Sequence, residues 1–446
     1  MRTIKLITCL FAVFFSQLLN AQNKTLLAKT DSIYSWFVNE KFEAIHQLFN
    51  IEMSRVLKVD ELEATWSQIQ VLFGMPVETK DKVVQKNKGL TLVRMPIKTD
   101  KSAMVLSLSF DSLEQVAGLF LSPGKINYTS PDYVDPEKFE ERKIHFGAPN
   151  YAGTGILSLP KSSTKLPLIL IVPGSGPVDK DLSIGSNKIY KDLAWGFASS
   201  GIAVFRYDKR TLNYQEKLIQ SDATGEKFTV KNEYLEDLKA IFMQLKKRPE
   251  IDAEKIVLLG HSQGGYLIPL IHQKIKGFAG YISLAGTLRE IPELAMEQLN
   301  YLNALDATNS DTALLASVFK QMFQSTRHEV VKMTSNSQVM GPYTLHYWQY
   351  LAKYNPRVAV LKIKQPILVL QGERDYQVPL KDFEIWKSTI GAKSNASFLS
   401  FPQLNHLFMA GEGPPNPSEY LSPGNVSKDV VEAIVKWVQA KFAQEK

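Results

Sequence analysis

The sequence predicts two folded units, a small α+β domain followed by a larger α/β domain built on a mostly parallel sheet with helices on both faces. Three observations lead there. Within the first 122 residues the hydrophobic period changes from helical to alternating, whereas from about residue 130 continuous apolar runs alternate with amphipathic stretches. Between them, Ser122 to Pro136 carries Ser-Pro-Gly, Ser-Pro and Asp-Pro pairs, the composition of a domain junction. The expected division is a leader at 1–21, a first domain at 22–130 and a second at 131–446.

Composition narrows the function classes. A chain of 446 residues with 44% apolar content is not expected to be disordered. Its 52 Lys and Arg are interspersed with 45 Asp and Glu, and no run of five basic residues marks a phosphate-binding stripe, so a nucleic-acid partner is not expected. Arg2, Lys5, the apolar run Leu6 to Leu19 and Ala21 read as a secretory signal, too short to span a bilayer comfortably. Cys9, the only cysteine, has further apolar residues after it, which is not the position of a lipid-modified residue. Once the leader is removed, neither a disulfide nor a cysteine-ligated metal is available. The expectation is a bacterial protein exported to the periplasm or beyond, with no stable membrane insertion after cleavage.

In the first domain, Leu62, Trp66, Ile69 and Leu72 recur at helical spacing between Asp60 and Phe73. Asp60 and Glu63 resemble a capping pair, and Gly74 ends the helix. Met104, Leu106, Leu108 and Phe110 then alternate with Ser107 and Ser109, as in a half-buried strand. Nothing there is catalytic, and His46 beside Ile45, Leu48 and Phe49 reads as structural.

In the second domain the apolar runs Leu168–Val172, Ala203–Tyr207, Ile256–Leu259, Tyr281–Ala285 and Ile367–Gln371 predict strands buried on both faces. Helical faces lie at Tyr234, Leu238, Ile241, Phe242 and Leu245 and at Val430, Ile434 and Trp437. Between Ala285 and Ile367 the chain is longer than one crossover needs, and residues 287–362 predict a helical cap, with Leu314, Val318 and Met322 at helical spacing. Tyr343, Tyr347, Trp348, Tyr350 and Tyr354 are expected to form the core of that cap. No internal repeat is visible.

Chemistry concentrates at the ends of the predicted strands. Ile256-Val-Leu-Leu-Gly-His-Ser-Gln-Gly-Gly265 is a strand, a G-x-S-x-G turn and the start of a helix. Such a tight turn needs glycine at 260 and 264 and lifts Ser262 above the sheet edge, with the backbone N–H of Gln263 facing the same space. His261 is expected to leave the turn on the other side. A serine needs a base and an orienting acid, in the chain order Ser, acid, His. Asp375, in the loop Gly372-Glu-Arg-Asp after the next-to-last strand, is the preferred acid over Glu373 and Asp382. His406, in the loop after the last strand at Ser397–Phe401, is the preferred base. His145, His272, His328 and His346 are expected to be core residues. An oxyanion hole would take one donor from Gln263 and another from Ser175 or Gly176 in the loop Val172-Pro-Gly-Ser-Gly-Pro177. A phosphate cradle is a poor reading of those glycines, because no Gly-Lys-Ser/Thr follows.

Pro173-Gly-Ser-Gly-Pro177, Phe205-Arg-Tyr-Asp-Lys-Arg210, Gly260-His-Ser-Gln-Gly264, Gly372-Glu-Arg-Asp375 and Leu404-Asn-His-Leu-Phe408 together make residues 140–446 resemble the α/β-hydrolase superfamily, in its secreted bacterial esterase and serine-aminopeptidase-like branch. The resemblance implies an eight-stranded sheet with a helical cap, a Ser262/Asp375/His406 triad and an acyl-enzyme. Residues 24–122 resemble the cystatin-like domain often fused ahead of such hydrolases, while Thr211 departs from the Arg-Gly-x-Gly-Ser that many relatives carry. The expected reaction is hydrolysis of a small-molecule carboxylic ester without metal or organic cofactor. An amide-cleaving aminopeptidase is the alternative, with Glu290, Glu293 and Glu297 as candidates for the substrate amine, although their spacing favours a solvated helix face. A binding protein on the same scaffold is the other alternative.

Overall fold

The computed structural model describes residues 23–442 except 88, 101–102, 125–127, 148, 215, 219–227 and 306–344. The predicted leader, and Leu314, Val318, Met322, His328 and Tyr343 of the predicted cap, lie outside the described residues. The chain divides into two compact units, the first made of the residues up to Tyr128 together with Tyr420–Pro423, the second of Thr129–Glu419 and the residues from Gly424 onward.

The first unit begins with helices α1 (residues 23–38), α2 (Phe42–His46), α3 (Ile51–Val56) and α4 (Val59–Phe73). Strands β1 (Pro76–Thr79), β2 (Val83–Asn87), β3 (Leu90–Thr99), β4 (Ala103–Phe110) and β5 (Val116–Pro123) follow in an antiparallel sheet ordered β1-β3-β4-β5, with β2 also paired to β3. Leu62, Trp66 and Ile69 of α4 are buried together with Met104, Leu106, Leu108 and Phe110 of β4, the side of each element that periodicity assigned to the core. The start of α4 differs from expectation. Lys58 takes the cap position with extended backbone, so the third helical residue is Glu61, and its carboxylate rather than that of Glu63 accepts the Lys58 N–H at 2.8 Å.

The second unit is a sheet of eight strands, β6 (Phe139–Phe146), β7 (Gly153–Pro160), β8 (Leu166–Val172), β9 (Ala203–Tyr207), β10 (Ile251–His261), β11 (Gly280–Leu284), β12 (Ile367–Gly372) and β13 (Ala396–Phe401). Their order is β13-β12-β11-β10-β8-β9-β7-β6. Strands β8 to β13 pair in parallel, and the hairpin β6–β7 joins antiparallel beside β9. Leu168 to Val172 are almost wholly excluded from solvent, as an apolar run without alternation requires when helices cover both faces. The helices of this unit include α5 (Ile189–Ser199), α6 (Glu236–Leu245), α7 (Gln263–Tyr266), α8 (Ile268–Lys274), α9 (Ile291–Leu305), α10 (Leu345–Ala352), α11 (Leu380–Ile390) and α12 (Lys428–Phe442). None of the described helices is long and apolar enough to cross a membrane.

The register fixes where chemistry can occur. Gly260 pairs with Val172, His261 with Leu284, Leu284 with Leu370 and Gly372 with Phe401, so the parallel strands end together at one edge. Strand β8 continues into β9 on one side, and the chain then returns to place β10 on the other. That reversal opens the crevice where α/β sheets place their ligands, and the loop after β8 and the turn after β10 lie at its two sides.

The predicted cap is corrected in one respect. Tyr347, Trp348 and Tyr354 join the main core of the sheet unit instead of forming a separate cap core. Helix α10 returns the chain onto the sheet, and the Tyr354 hydroxyl donates to the Tyr266 carbonyl at 2.9 Å. Truncating the centre of β8 by Leu170→Ala is expected to cost the second unit about 2–5 kcal/mol, read as a lower urea midpoint with unchanged slope.

Candidate active site

Strand β10 runs straight into Ser262 and then α7, with no room for a longer connection. Ser262 has φ 55° and ψ −117°, a conformation that a side chain with a Cβ adopts only when its surroundings enforce it. Enforcement comes from backbone contacts. A Cβ on Gly260 would overlap the Gly264 carbonyl, and one on Gly264 would overlap the Val172 and Pro173 carbonyls at the end of β8. The Ser262 N–H donates to the Leu284 carbonyl at 2.9 Å, tying the turn to β11. Gly174 lies so close that a Cβ there would stand 3.2 Å from the Ser262 Cβ, which brings the loop after β8 against the turn.

The two other predicted residues meet each other. His406 Nδ1 donates to Asp375 Oδ2 at 2.6 Å, and both side chains are buried. The remaining capacity of the carboxylate is filled by Gln371 Nε2 on Oδ2 at 3.1 Å and by the Gln377 and Val378 N–H groups on Oδ1 at 2.8 and 2.9 Å. A carboxylate only accepts, so Nδ1 carries a proton, and the neutral imidazole in this pairing has its lone pair on Nε2. Buried Asn405 shapes the histidine loop, its Oδ1 accepting the N–H groups of Leu407 and Met409. The rival carboxylates are engaged elsewhere. Glu373 accepts from Ser400 Oγ at 2.7 Å, and Asp382 holds the Arg289 guanidinium through both oxygens at 2.9 and 2.6 Å.

His261 turns away from the serine into a closed set of bonds. Its Nδ1 meets the Tyr190 hydroxyl at 3.0 Å and its Nε2 the His406 carbonyl at 3.1 Å, with the two imidazole rings 4.9 Å apart. A carbonyl only accepts, so Nε2 carries the proton, Nδ1 accepts from Tyr190, and the phenol oxygen takes the Gly174 N–H at 3.1 Å. Burial, reinforced by the nearby His406, pushes His261 down to about 3. Of the histidines expected in the core, His272 is half-buried against the Tyr281 hydroxyl at 2.9 Å, whereas His145 is exposed on β6, whose charged residues face outward.

Sequence reasoning missed the groups behind the loop after β8. Lys209 Nζ donates to the carbonyls of Gly174 and Gly176 at 2.9 and 3.0 Å and to the Tyr234 hydroxyl at 2.7 Å. The Glu233 carboxylate stands 2.6 Å from the same ammonium, and both side chains are fully buried. Tyr347 of α10 donates to Glu233 at 2.5 Å and accepts the Gln263 side-chain N–H at 2.9 Å. The only sequence signal was a lysine two residues past the strand Ala203–Tyr207, inside the Phe205-Arg-Tyr-Asp-Lys-Arg210 motif. Its neighbours are also paired: Arg206 with Glu141 and Asp181, Arg210 with Asp237 and Glu236. Thr211, the departure from the related pattern, adds its hydroxyl to the Gly176 carbonyl at 3.3 Å.

The carboxylates of α9 face solvent, with 54% of the Glu293 and 39% of the Glu297 side chain exposed, and they also carry ion pairs. Arg289, itself buried, reaches Glu293 at 3.4 Å and also pairs with Glu297, to which Lys381 adds a contact at 3.4 Å. Among the described residues, no cluster of three His, Cys, Asp or Glu is arranged to hold a metal ion. Hollows of about 400 and 520 Å³ around the β7–β8 turn lie at the opposite edge of the sheet from Ser262.

Residues 184–412 match the family model described as "Serine aminopeptidase, S33". The chain belongs to that hydrolase family. Residues 30–119 match a second model, described as a protein of unknown function, DUF3887. The chain is 33% identical over 405 residues to esterase EstD of Thermotoga maritima, covering 90% of this chain and 92% of that one. Among solved structures it is similar to Est1E from Butyrivibrio proteoclasticus, at 16% identity over 68% of this chain and 99% of that one, with a TM-score of 0.43. It is also similar to the esterase domain of a Rhodothermus marinus protein, at 16% identity over 68% and 98% of the two chains, with a TM-score of 0.40.

In this hydrolase the buried His261 generates an acid limit. Its folded value lies below the ordinary value of 6.5, so between pH 6.5 and about 3 the unfolded chain binds the proton that the native state refuses. Stability on this account is intact above pH 6.5 and falls by up to about 1.4 kcal/mol per pH unit as pH drops through that window. Urea titrations from pH 7 to pH 4 are expected to show a shallower loss for His261→Gln than for the parent, and parallel slopes would refute the assignment.

Proposed function

We propose that this protein is a serine carboxylesterase that hydrolyses small-molecule esters with Ser262 as nucleophile, His406 as general base and acid, and Asp375 as the group that orients the imidazole. The observation that carries this reading is the 2.6 Å His406–Asp375 bond at the sheet edge where the strained Ser262 turn also sits. Such a pairing leaves Nε2 free to take the Ser262 proton as Oγ attacks the ester carbonyl carbon. The negative charge that develops on the carbonyl oxygen is met by the backbone N–H of Gln263 and by one from the Ser175–Gly176 segment. His406 then passes its proton to the leaving alcohol oxygen, and the C–O bond to the alcohol breaks. Water, deprotonated by the same nitrogen, attacks the acyl-enzyme and releases the acid.

Ester rather than amide cleavage is favoured by the homology to esterase EstD, which spans almost the whole chain. The reading includes removal of residues 1–21 and export to the periplasm or the extracellular space, and a cystatin-like assignment for the first unit, whose helices precede an antiparallel sheet.

Ser262→Ala is expected to abolish hydrolysis of p-nitrophenyl butyrate, a fall of about 10⁴-fold or more in kcat, and to remove labelling by a fluorophosphonate probe. Asp375→Asn should reduce kcat by about 10⁴-fold while leaving the fold intact. Retained turnover in Ser262→Ala would refute the nucleophile, and faster cleavage of aminoacyl-p-nitroanilides than of esters would move the assignment to the amidase.

A further inference from the structure

We propose that Lys209 is the positioning residue of the oxyanion hole: its buried ammonium holds the Gly174 and Gly176 carbonyls on one side of the loop, so that the Ser175 N–H is the one presented toward Ser262. This rests on the serine-esterase reading and deepens it by choosing between Ser175 and Gly176.

A trans peptide is planar, and its C=O and N–H point in opposite directions. The Gly174 carbonyl receives Lys209 Nζ at 2.9 Å and the Tyr234 hydroxyl at 2.8 Å, so the Ser175 N–H of that same peptide points away from both. Without these bonds the peptide would turn easily, because it is flanked by Gly174 and, one residue on, by Gly176 with φ +79°. The loop is at the right place, since Gly174 abuts Ser262 at its Cβ position.

A fully buried ammonium is costly to keep, and burial pulls Lys209 below its ordinary range while Glu233 opposes that shift. Its three N–H groups go to two loop carbonyls and one phenol, and the Glu233 carboxylate balances the charge. None of these partners is substrate-facing chemistry, so the ion pair acts through the loop it holds. The same cluster reaches the other wall of the hole. Tyr347 takes the Gln263 side-chain N–H and donates to Glu233, so both donor-bearing segments are referenced to one buried ion pair. A cation on the carbonyl also polarises the peptide and strengthens its N–H as a donor.

The test uses the double variant Lys209→Met/Glu233→Gln, which removes both charges and leaves neither stranded, with folding checked by circular dichroism and Tm. For p-nitrophenyl butyrate the expected result is a kcat lowered by about 10²- to 10³-fold with KM changed by less than about threefold. The distinguishing readout is the preference for an ester over the matching thionoester, whose C=S accepts hydrogen bonds poorly. That preference should shrink by about tenfold or more, because it measures the oxyanion donors themselves. A folded double variant that keeps its kcat, or loses kcat with an unchanged oxygen-to-sulfur preference, overturns the role of Lys209. Should the double variant not fold, Tyr234→Phe, which removes one bond to the Gly174 carbonyl and one to Lys209, is expected to shift the same preference in the same direction, and an unshifted preference there overturns it as well. Failure of the underlying reading looks different: the parent enzyme would not be labelled at Ser262 by a fluorophosphonate, and Ser262→Ala would retain turnover.

Discussion

The close approach of two backbones, the end of β8 and the start of α7, is the constraint on which the rest of the site depends. Gly264 lies against the Val172 and Pro173 carbonyls, and only a residue without a Cβ allows that distance. The helix can then begin immediately above the sheet, and Ser262 is forced into the left-handed region between strand and helix. Such strain costs on the order of 1–3 kcal/mol, and the surrounding β8, β10 and β11 ladder, buried where it approaches the turn, over-determines it. Parallel register does the remaining work of assembly, because strands that end together deliver their loops to one crevice whatever their separation along the chain.

Around that crevice, charge is used as scaffolding. Arg206, Lys209 and Arg210 all fall at the end of β9 and each meets carboxylates from other elements. Buried pairs of this kind contribute little net stability, since desolvation offsets most of the attraction, but they fix geometry because any displacement strands a charge. Hydrogen bonding around His261 has the same character in neutral form, running from the Gly174 N–H through Tyr190 and the imidazole to the His406 carbonyl. The loop after β8 is thus held from both sides, by a cation on its carbonyls and a phenol on its first amide.

How much of this was legible in the sequence follows from how local each signal is. The parallel strands were legible because burial on both faces leaves an unbroken apolar run, as at Leu168–Val172. Ser262, Asp375 and His406 could be placed at strand ends because each follows such a run within a few residues. The hairpin β6–β7 was not legible from periodicity: Phe139-Glu-Glu-Arg-Lys-Ile-His-Phe146 buries only Phe139, Ile144 and Phe146, and its charges obscure any alternation. Only the superfamily resemblance supplied the count of eight strands. Glu233 and Tyr347 were missed for another reason. They lie 114 residues apart and meet only through the fold, where Glu233 in turn pairs with Lys209, so no spacing rule connects them. The Arg289 clamp on α9 was likewise hidden, because its main partner, Asp382, lies 93 residues further on.

Tyr347 also bears on how a protein of this design can change over evolutionary time. Its phenol sits on α10, where the chain returns from the insertion between β11 and β12, yet its two partners lie ahead of that insertion, Glu233 and the Gln263 side chain beside the Ser262 turn. Recombination that exchanged the whole insertion would delete this hydroxyl and leave a buried carboxylate short of a donor. Viable exchanges are therefore those whose distal splice falls before Tyr347, so that the returning helix is inherited with the sheet while the segment ahead of it is free to diversify.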